Sequence, residues 1–201
     1  MQNNKKMKLN PRHGWLGWWP KKGFRAIFDP ENARITQFLV EQRTRLPQDS
    51  LLLDAGAGKC PYQYIFEDFN YQSTDMPGGF YDEPHDFECE LHDIPKDNNT
   101  YDVVVLTQVL EHVPDPESTL TEICRVLKSN GKLLLSVPLN GPLHGEPWHY
   151  FQFTHYGLDQ LAKKAGFKIV EMEKVGGAFW LIGKRLPVAF GKLLKQYDPF
   201  R

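Results

Sequence analysis

The segment Leu51-Leu52-Leu53-Asp54-Ala55-Gly56-Ala57-Gly58 restricts the folds open to this chain more than any other. Three leucines make the end of a buried strand, an acid follows at once, and two glycines stand one residue apart. Glycine is required where the backbone turns tightly or approaches a ligand, because a Cβ would obstruct both. A strand ending in such a turn is how a doubly wound α/β sheet holds a nucleotide. A second acid, Asp75, closes the run Tyr71-Gln72-Ser73-Thr74-Asp75, 17 residues past Gly58. A second parallel strand should finish there and present its carboxylate to a ribose. The dinucleotide fingerprint would need a third glycine where this chain has Pro61, which argues against a dinucleotide.

The remaining pattern alternates strands and helices. Pro30 and Glu31 open a helix with Ile35, Phe38 and Leu39 on its buried face, ending near Pro47. Pro61 permits the first turn of a helix through Tyr64, Ile65 and Phe66. Tyr101–Thr107 is an apolar strand, and Asp115-Pro116 supplies an N-cap and a proline at the first helical position. Leu120, Ile123, Cys124 and Leu127 share one face of that helix, and Asn130-Gly131 stops it. Lys132–Val137 reads as a strand, Leu158–Ala165 as a helix capped by Thr154, and Phe167–Glu173 as another strand. Such alternation predicts a parallel sheet covered on both faces.

With Asp54-Ala55-Gly56-Ala57-Gly58 and Thr107-Gln108-Val109-Leu110-Glu111-His112-Val113 in this order and spacing, the chain resembles a class I S-adenosylmethionine-dependent methyltransferase of the type 11 family over residues 30–175. The resemblance implies an α/β, doubly wound, mostly parallel Rossmann-like sheet of strand order 3-2-1-4-5-(7)-6. The seventh strand would fall at Ala178–Ile182, where a C-terminal helix could begin instead. It also implies S-adenosylmethionine as cofactor. The backbone of Ala55, Gly56 and Gly58 would approach its methionine part, and Asp54 would receive its ammonium group directly or through water. Asp75 and Met76 would lie at the ribose, and Glu90 or the Leu91 backbone at the adenine edge. Gln108 and Glu111 line the methionine pocket or cap the next helix. Cys60 departs from the family pattern, which often has glycine there.

Methyl transfer to a small molecule, most readily to a hydroxyl oxygen, follows from the resemblance. The protein mainly has to place the acceptor in line with the methyl group, and positioning alone supplies roughly 7–11 kcal/mol. A base adds roughly 10²–10⁴-fold where a hydroxyl must lose its proton. His144, His149 and His112 are the candidates for that work, His112 being equally readable as a hydrogen-bonded structural histidine. The segment Pro142–Gly157 holds three histidines, a glutamate and five aromatic rings, and so reads as the acceptor side, with Glu146, Trp148 and Tyr150 as contacts. His144, Glu146, His149 and His155 match no standard metal-site spacing, and methyl transfer needs no metal, so none is expected.

The net charge of −1 conceals an uneven distribution: residues 1–28 carry seven basic side chains and no acid, whereas residues 29–180 have an excess of 12 acids. The basic ends either face an anionic partner or fold against the acidic body. Residues 1–29, with Trp18 and Trp19, are expected to form a lid over the acceptor, and residues 176–201 an apolar, basic part of the same domain. That last stretch either packs as a strand and short helix or touches a membrane surface. Lysines among tryptophans could hold a nucleic-acid strand, but the acidic body opposes phosphates, which argues against nucleic acid as a partner. Three cysteines without metal spacing, no secretory h-region and no long apolar run point to the cytoplasm and to reduced thiols. Two other functions are compatible with these residues: a cofactor-binding or assembly protein without turnover, and a methyltransferase acting on RNA or protein.

Overall fold

The leucine run becomes the innermost strand because its alternate side chains meet apolar surface on both faces. A computed structural model describes residues 30–141, 143–176 and 182. Helix α1 (Pro30–Arg43) precedes β1 (Leu51–Ala55), followed by a 3₁₀ turn (Gln63–Ile65), β2 (Asn70–Asp75) and the two-residue β3 (Phe87–Glu88). Next come β4 (Tyr101–Thr107), a second 3₁₀ turn (Leu110–His112), α2 (Pro116–Val126), β5 (Leu127–Ser136) and α3 (His155–Lys164). Among the described residues the five strands are all parallel, in the order β3-β2-β1-β4-β5.

Successive strand residues point to opposite faces, and the two cores divide accordingly. Leu52, Val103 and Val105 pack with Ile35 and Leu39 of α1 and with Ile65, Phe66 and Phe69. Leu53, Val104 and Leu106 pack with Leu120, Ile123 and Val126 of α2 and with Ala165 beyond α3. Asp115 caps α2 by accepting from the Ser118 amide, with Pro116 in the first turn, and Thr154 accepts from the Gly157 amide at α3, both as the sequence predicts. The sheet runs outward from β1 in two directions. The carboxyl ends of β1 and β4 therefore flank a topological switch point, where ligands bind in open α/β sheets.

Three expectations are corrected. Pro61 does not begin an α-helix; only the 3₁₀ turn forms. Nine residues separate Cys60 from Asn70, and as α-helix they would rise about 13.5 Å. That falls short of the roughly 16 Å needed to run back along five-residue β1, so a continuous α-helix cannot make the return, and the short 3₁₀ turn sits among irregular turns instead. The stop of α2 comes at Val126 rather than at Asn130-Gly131. Leu127 is buried as the first residue of β5, and Asn130, at φ 70°, lies where the β4–β5 register shifts. Phe167–Glu173 forms no strand. Its Glu171 is tied instead to Arg45 at 2.7 Å and to Gln42 at 3.0 Å, and Val170 is 80% exposed. Side-chain pairs therefore hold this segment where ladder bonds were expected. The region proposed for the seventh strand lies, but for Ile182, outside the described residues, as does the N-terminal lid.

Candidate functional site

The glycine turn is pinned over β2 by its own backbone. The amides of Gly56 and Ala57 both donate to the Thr74 carbonyl, at 2.9 and 3.0 Å. Gly56 stands at φ 70°, and a Cβ there would come within 2.6 Å of both Val109 methyls. This contact brings the segment after β4 against the turn after β1, which is why the position takes glycine. Cys60 has φ 49°, the left-handed region that glycine occupies without strain. The departure from the family pattern therefore keeps the backbone shape that the pattern implies.

Asp75 holds the turn from the β2 side. Its Oδ2 accepts from the Gly58 amide at 2.8 Å and its Oδ1 from the Met76 amide at 2.7 Å. An ionised carboxylate offers about four lone-pair positions, so two amides leave capacity for two ribose hydroxyls. Asp54, at the end of β1, is buried, and its Oδ2 accepts from the Tyr71 hydroxyl at 2.6 Å. Burial pushes its carboxyl up from 3.8 to about 6; the Tyr71 hydrogen bond opposes this, and nearby Asp75 adds to it. Burial likewise pushes the Cys60 thiol up, so it stays protonated.

The second half of the site grows from the 3₁₀ turn after β4. Gln108 sits at φ 55°, with its amide on the Ser136 carbonyl at 2.9 Å and its side-chain nitrogen on Ser136 Oγ at 3.2 Å. Glu111 is fully buried, and neither carboxylate oxygen accepts a hydrogen bond from a described residue. Its Oε1 lies 3.8 Å from His112 Nε2 and 3.9 Å from His144 Nε2. Desolvation pushes the Glu111 carboxyl up to about 7, with Glu31 contributing. His112 Nδ1 lies 2.9 Å from the Trp148 carbonyl. A carbonyl can only accept, so Nδ1 carries the proton, and the Nε2 lone pair faces Glu111 and His144. Burial pulls the His112 imidazole down, only partly offset by the Trp148 carbonyl, which keeps the ring neutral near pH 7.

The segment after β5 contributes unequally to this cluster. His144, His149 and His112 stack edge to face, with ring centroids 4.4 to 5.5 Å apart. His149 Nδ1 accepts from the His144 amide at 3.1 Å, and its Nε2 lies 3.2 Å from the Phe151 carbonyl. Both nitrogens are thus turned to backbone, and His149 braces the loop that carries His144. Trp148 packs edge to face on Phe80 at 4.7 Å, whereas Glu146 and Tyr150 are exposed. Leu91 is buried in the core, Glu90 is exposed, and Ala55 is buried at the end of β1. Trp18 and Trp19 lie outside the described residues. Glu146, His149 and His155 do not gather into a donor set; His144 instead meets Glu111 and His112.

Comparison with known proteins places this arrangement. The family model described as a methyltransferase domain (Methyltransf_23) matches residues 24–172. The chain belongs to this family. Similar solved structures have the same fold. They include a SAM-dependent methyltransferase from Aquifex aeolicus, 19% identical, with a TM-score of 0.54 over 84% of this chain and 94% of that one. The [4+2]-cyclase SpnF is 26% identical, with a TM-score of 0.57 over 71% and 59% of the two chains. The CurJ carbon methyltransferase is 19% identical, with a TM-score of 0.57 over 78% and 55%. No curated protein sequence matches the chain.

Sequence reasoning missed several parts of this candidate site. Tyr71 stands two residues before Ser73 and four before Asp75, so strand alternation puts the three on one face; that pattern could have exposed Tyr71 as the partner of Asp54. Phe80 and Tyr81 gave no such signal. A Cβ on Gly58 would meet the Tyr81 ring at 3.0 Å, and one on Gly145 would meet Phe80 at 3.2 Å and His112 Cε1 at 3.0 Å. The loop after β2 thus touches both halves of the site.

Proposed function

We propose that this domain binds S-adenosylmethionine across the carboxyl ends of β1 and β2 and methylates a hydroxyl oxygen of a small molecule held beside Glu111, His112 and His144. The observation that carries the proposal is the close approach of Gly56 and Val109, which sets the Glu111–His112 turn next to the glycine turn. When bound, the cofactor supplies an activated methyl group on a sulfonium centre. The chain's own residues hold and orient. Ionised Asp54 faces the ammonium group, Asp75 the ribose hydroxyls, and the Gly56–Gly58 backbone makes room for close approach. Gln108 borders the methionine portion, and Trp148, Phe80 and Tyr150 provide apolar surface for the acceptor. Where no other group occupies it, the Nε2 lone pair of neutral His112 is the proton acceptor for the hydroxyl. The tryptophan-rich segment 1–29 acts as a lid that excludes water; unchanged acceptor affinity and turnover after deletion of residues 1–28 would refute that role. Among the described residues no helix is long and apolar enough to cross a membrane.

The deciding experiment is calorimetric titration with S-adenosylmethionine, S-adenosylhomocysteine and NAD. Micromolar binding of the first two, lost in Asp75→Ala, supports the reading; binding of neither overturns it. A second reading, ligand binding without methyl transfer, is favoured by one observation: the similar fold of SpnF serves a [4+2]-cyclase, so fold alone does not set the reaction. His112→Asn separates the two, because a methyltransferase should lose turnover while keeping cofactor affinity.

A further inference from the structure

Glu111 poses a physical problem that methyl transfer does not solve. It is fully buried, and both of its oxygens lack hydrogen bonds from described residues, an arrangement that strongly disfavours an ionised carboxylate without a cationic partner. Two imidazole nitrogens face one of those oxygens at 3.8 and 3.9 Å. These separations exceed hydrogen-bond length, so no proton is shared directly across either gap. All three donor atoms lie within 4.8 Å of one another. A tetrahedral cation with ligand distances of about 2.0–2.2 Å holds its donors roughly 3.3 Å apart, which small side-chain rotations would reach.

From this geometry we infer that Glu111, His112 and His144 bind a divalent transition-metal cation, with Glu111 Oε1, His112 Nε2 and His144 Nε2 as ligands. Two imidazoles and one carboxylate suit zinc, iron(II) or cobalt(II) rather than magnesium or calcium. The outer contacts have the form such sites require. His112 donates its other ring N–H to the Trp148 carbonyl, which orients Nε2 inward. His149, through its bond from the His144 amide, positions the third ligand's loop. The His144 side chain is 46% exposed while Glu111 is fully enclosed, so the remaining coordination positions open toward solvent on the His144 side. Three protein ligands with an open position characterise sites that bind a substrate oxygen or water. An acceptor with a hydroxyl would coordinate there, and with the cation in place His112 is a ligand, the hydroxyl proton passing to solvent. The cation's binding does not rest on methyl transfer; only its role toward an acceptor rests on the proposed function.

The test uses the untagged chain of residues 1–201, stripped with a chelator and titrated with Co²⁺ and Zn²⁺ by calorimetry and visible absorption. One equivalent should bind, with cobalt d–d bands in the visible that Zn²⁺ abolishes. His144→Ala and Glu111→Gln should each weaken binding at least as much as the 10- to 100-fold that outer-shell changes cause, and His155→Ala should leave it unchanged. Glu111→Gln preserves side-chain volume and His144→Ala alters an exposed residue, so circular dichroism should show both folded. Absence of stoichiometric binding to folded protein, or unchanged affinity in His144→Ala, would overturn the inference. Titrating S-adenosylmethionine into the same samples separates the two proposals: cobalt bound without cofactor refutes the methyl-transfer reading alone, and cofactor bound without cobalt refutes the metal site alone.

Discussion

Asp54→Asn should make the unliganded protein more stable and its cofactor binding worse, and the size of the first effect follows from burial. The Asp54 carboxyl is raised from 3.8 to about 6, chiefly by burial. Each tenfold change in that equilibrium is worth about 1.4 kcal/mol, so ionised Asp54 costs the fold about 3 kcal/mol above pH 6. For an acid whose pKa is raised on folding, the native state binds more protons than the unfolded state between the two values. The stability contributed by protonated Asp54 is therefore fully present below about pH 4 and is lost as pH rises through 6. The asparagine side chain would keep an oxygen for the Tyr71 hydroxyl and carry no charge. Urea unfolding from pH 4 to 8 should show the wild type losing about 3 kcal/mol that the variant does not lose, a gap near 6–12 °C in Tm at pH 8 for a domain of this size. Cofactor affinity should rise with pH through 6 in the wild type and be weak and pH-independent in the variant. Pairing with an ammonium group should also pull Asp54's proton off, so calorimetry at pH 6 in buffers of different ionisation enthalpy should register about half a proton released. If Asp54→Asn is no more stable than wild type at pH 8, ionised Asp54 is not a strained group and the argument fails.

Gly56→Ala should lower Tm and abolish cofactor binding, because the new Cβ would lie 2.6 Å from both Val109 methyls at a positive φ; adding Val109→Ala should recover part of the stability, and the absence of any recovery would deny that the contact matters. Asp75→Asn should weaken cofactor binding less than Asp75→Ala, since one acceptor remains for the Gly58 or Met76 amide, and equal losses in calorimetry would show that those amides play no part. Phe80→Ala should raise the acceptor KM more than it lowers kcat, as Phe80 packs on Trp148; a pure kcat effect would contradict a role in binding. Thr154→Ala should cost about 1 kcal/mol of stability by uncapping α3 without altering cobalt affinity, which chemical denaturation and the metal titration would check together.

What the sequence disclosed about this fold was whatever local chemistry dictates. Leucine runs, spaced glycines and the Asp115-Pro116 cap act over a few residues, and each lies where it was expected. The misplaced features depend on quantities that a local pattern does not carry. The connection after Cys60 is set by the length of the strand it must retrace. The segment after Gly166 answers to Arg45 and Gln42, more than 120 residues away in sequence. The site divides along the same line. Asp54, Gly56, Gly58 and Asp75 belong to one strand–turn–strand unit and are legible together. The histidines are not, because spacing along a loop says nothing of what a neighbouring turn presents to it. Read as a loop, His144, Glu146 and His149 form a plausible set; in three dimensions, His149 is used up by backbone, Glu146 is exposed, and the carboxylate that faces His144 comes from the far side of α2 and β5, at Glu111. A buried acid next to the glycine turn and a histidine loop after β5 become one site only because β4 and β5 are adjacent parallel strands ending at the same edge. The chemistry of this domain is thus written by the sheet order as much as by its motifs.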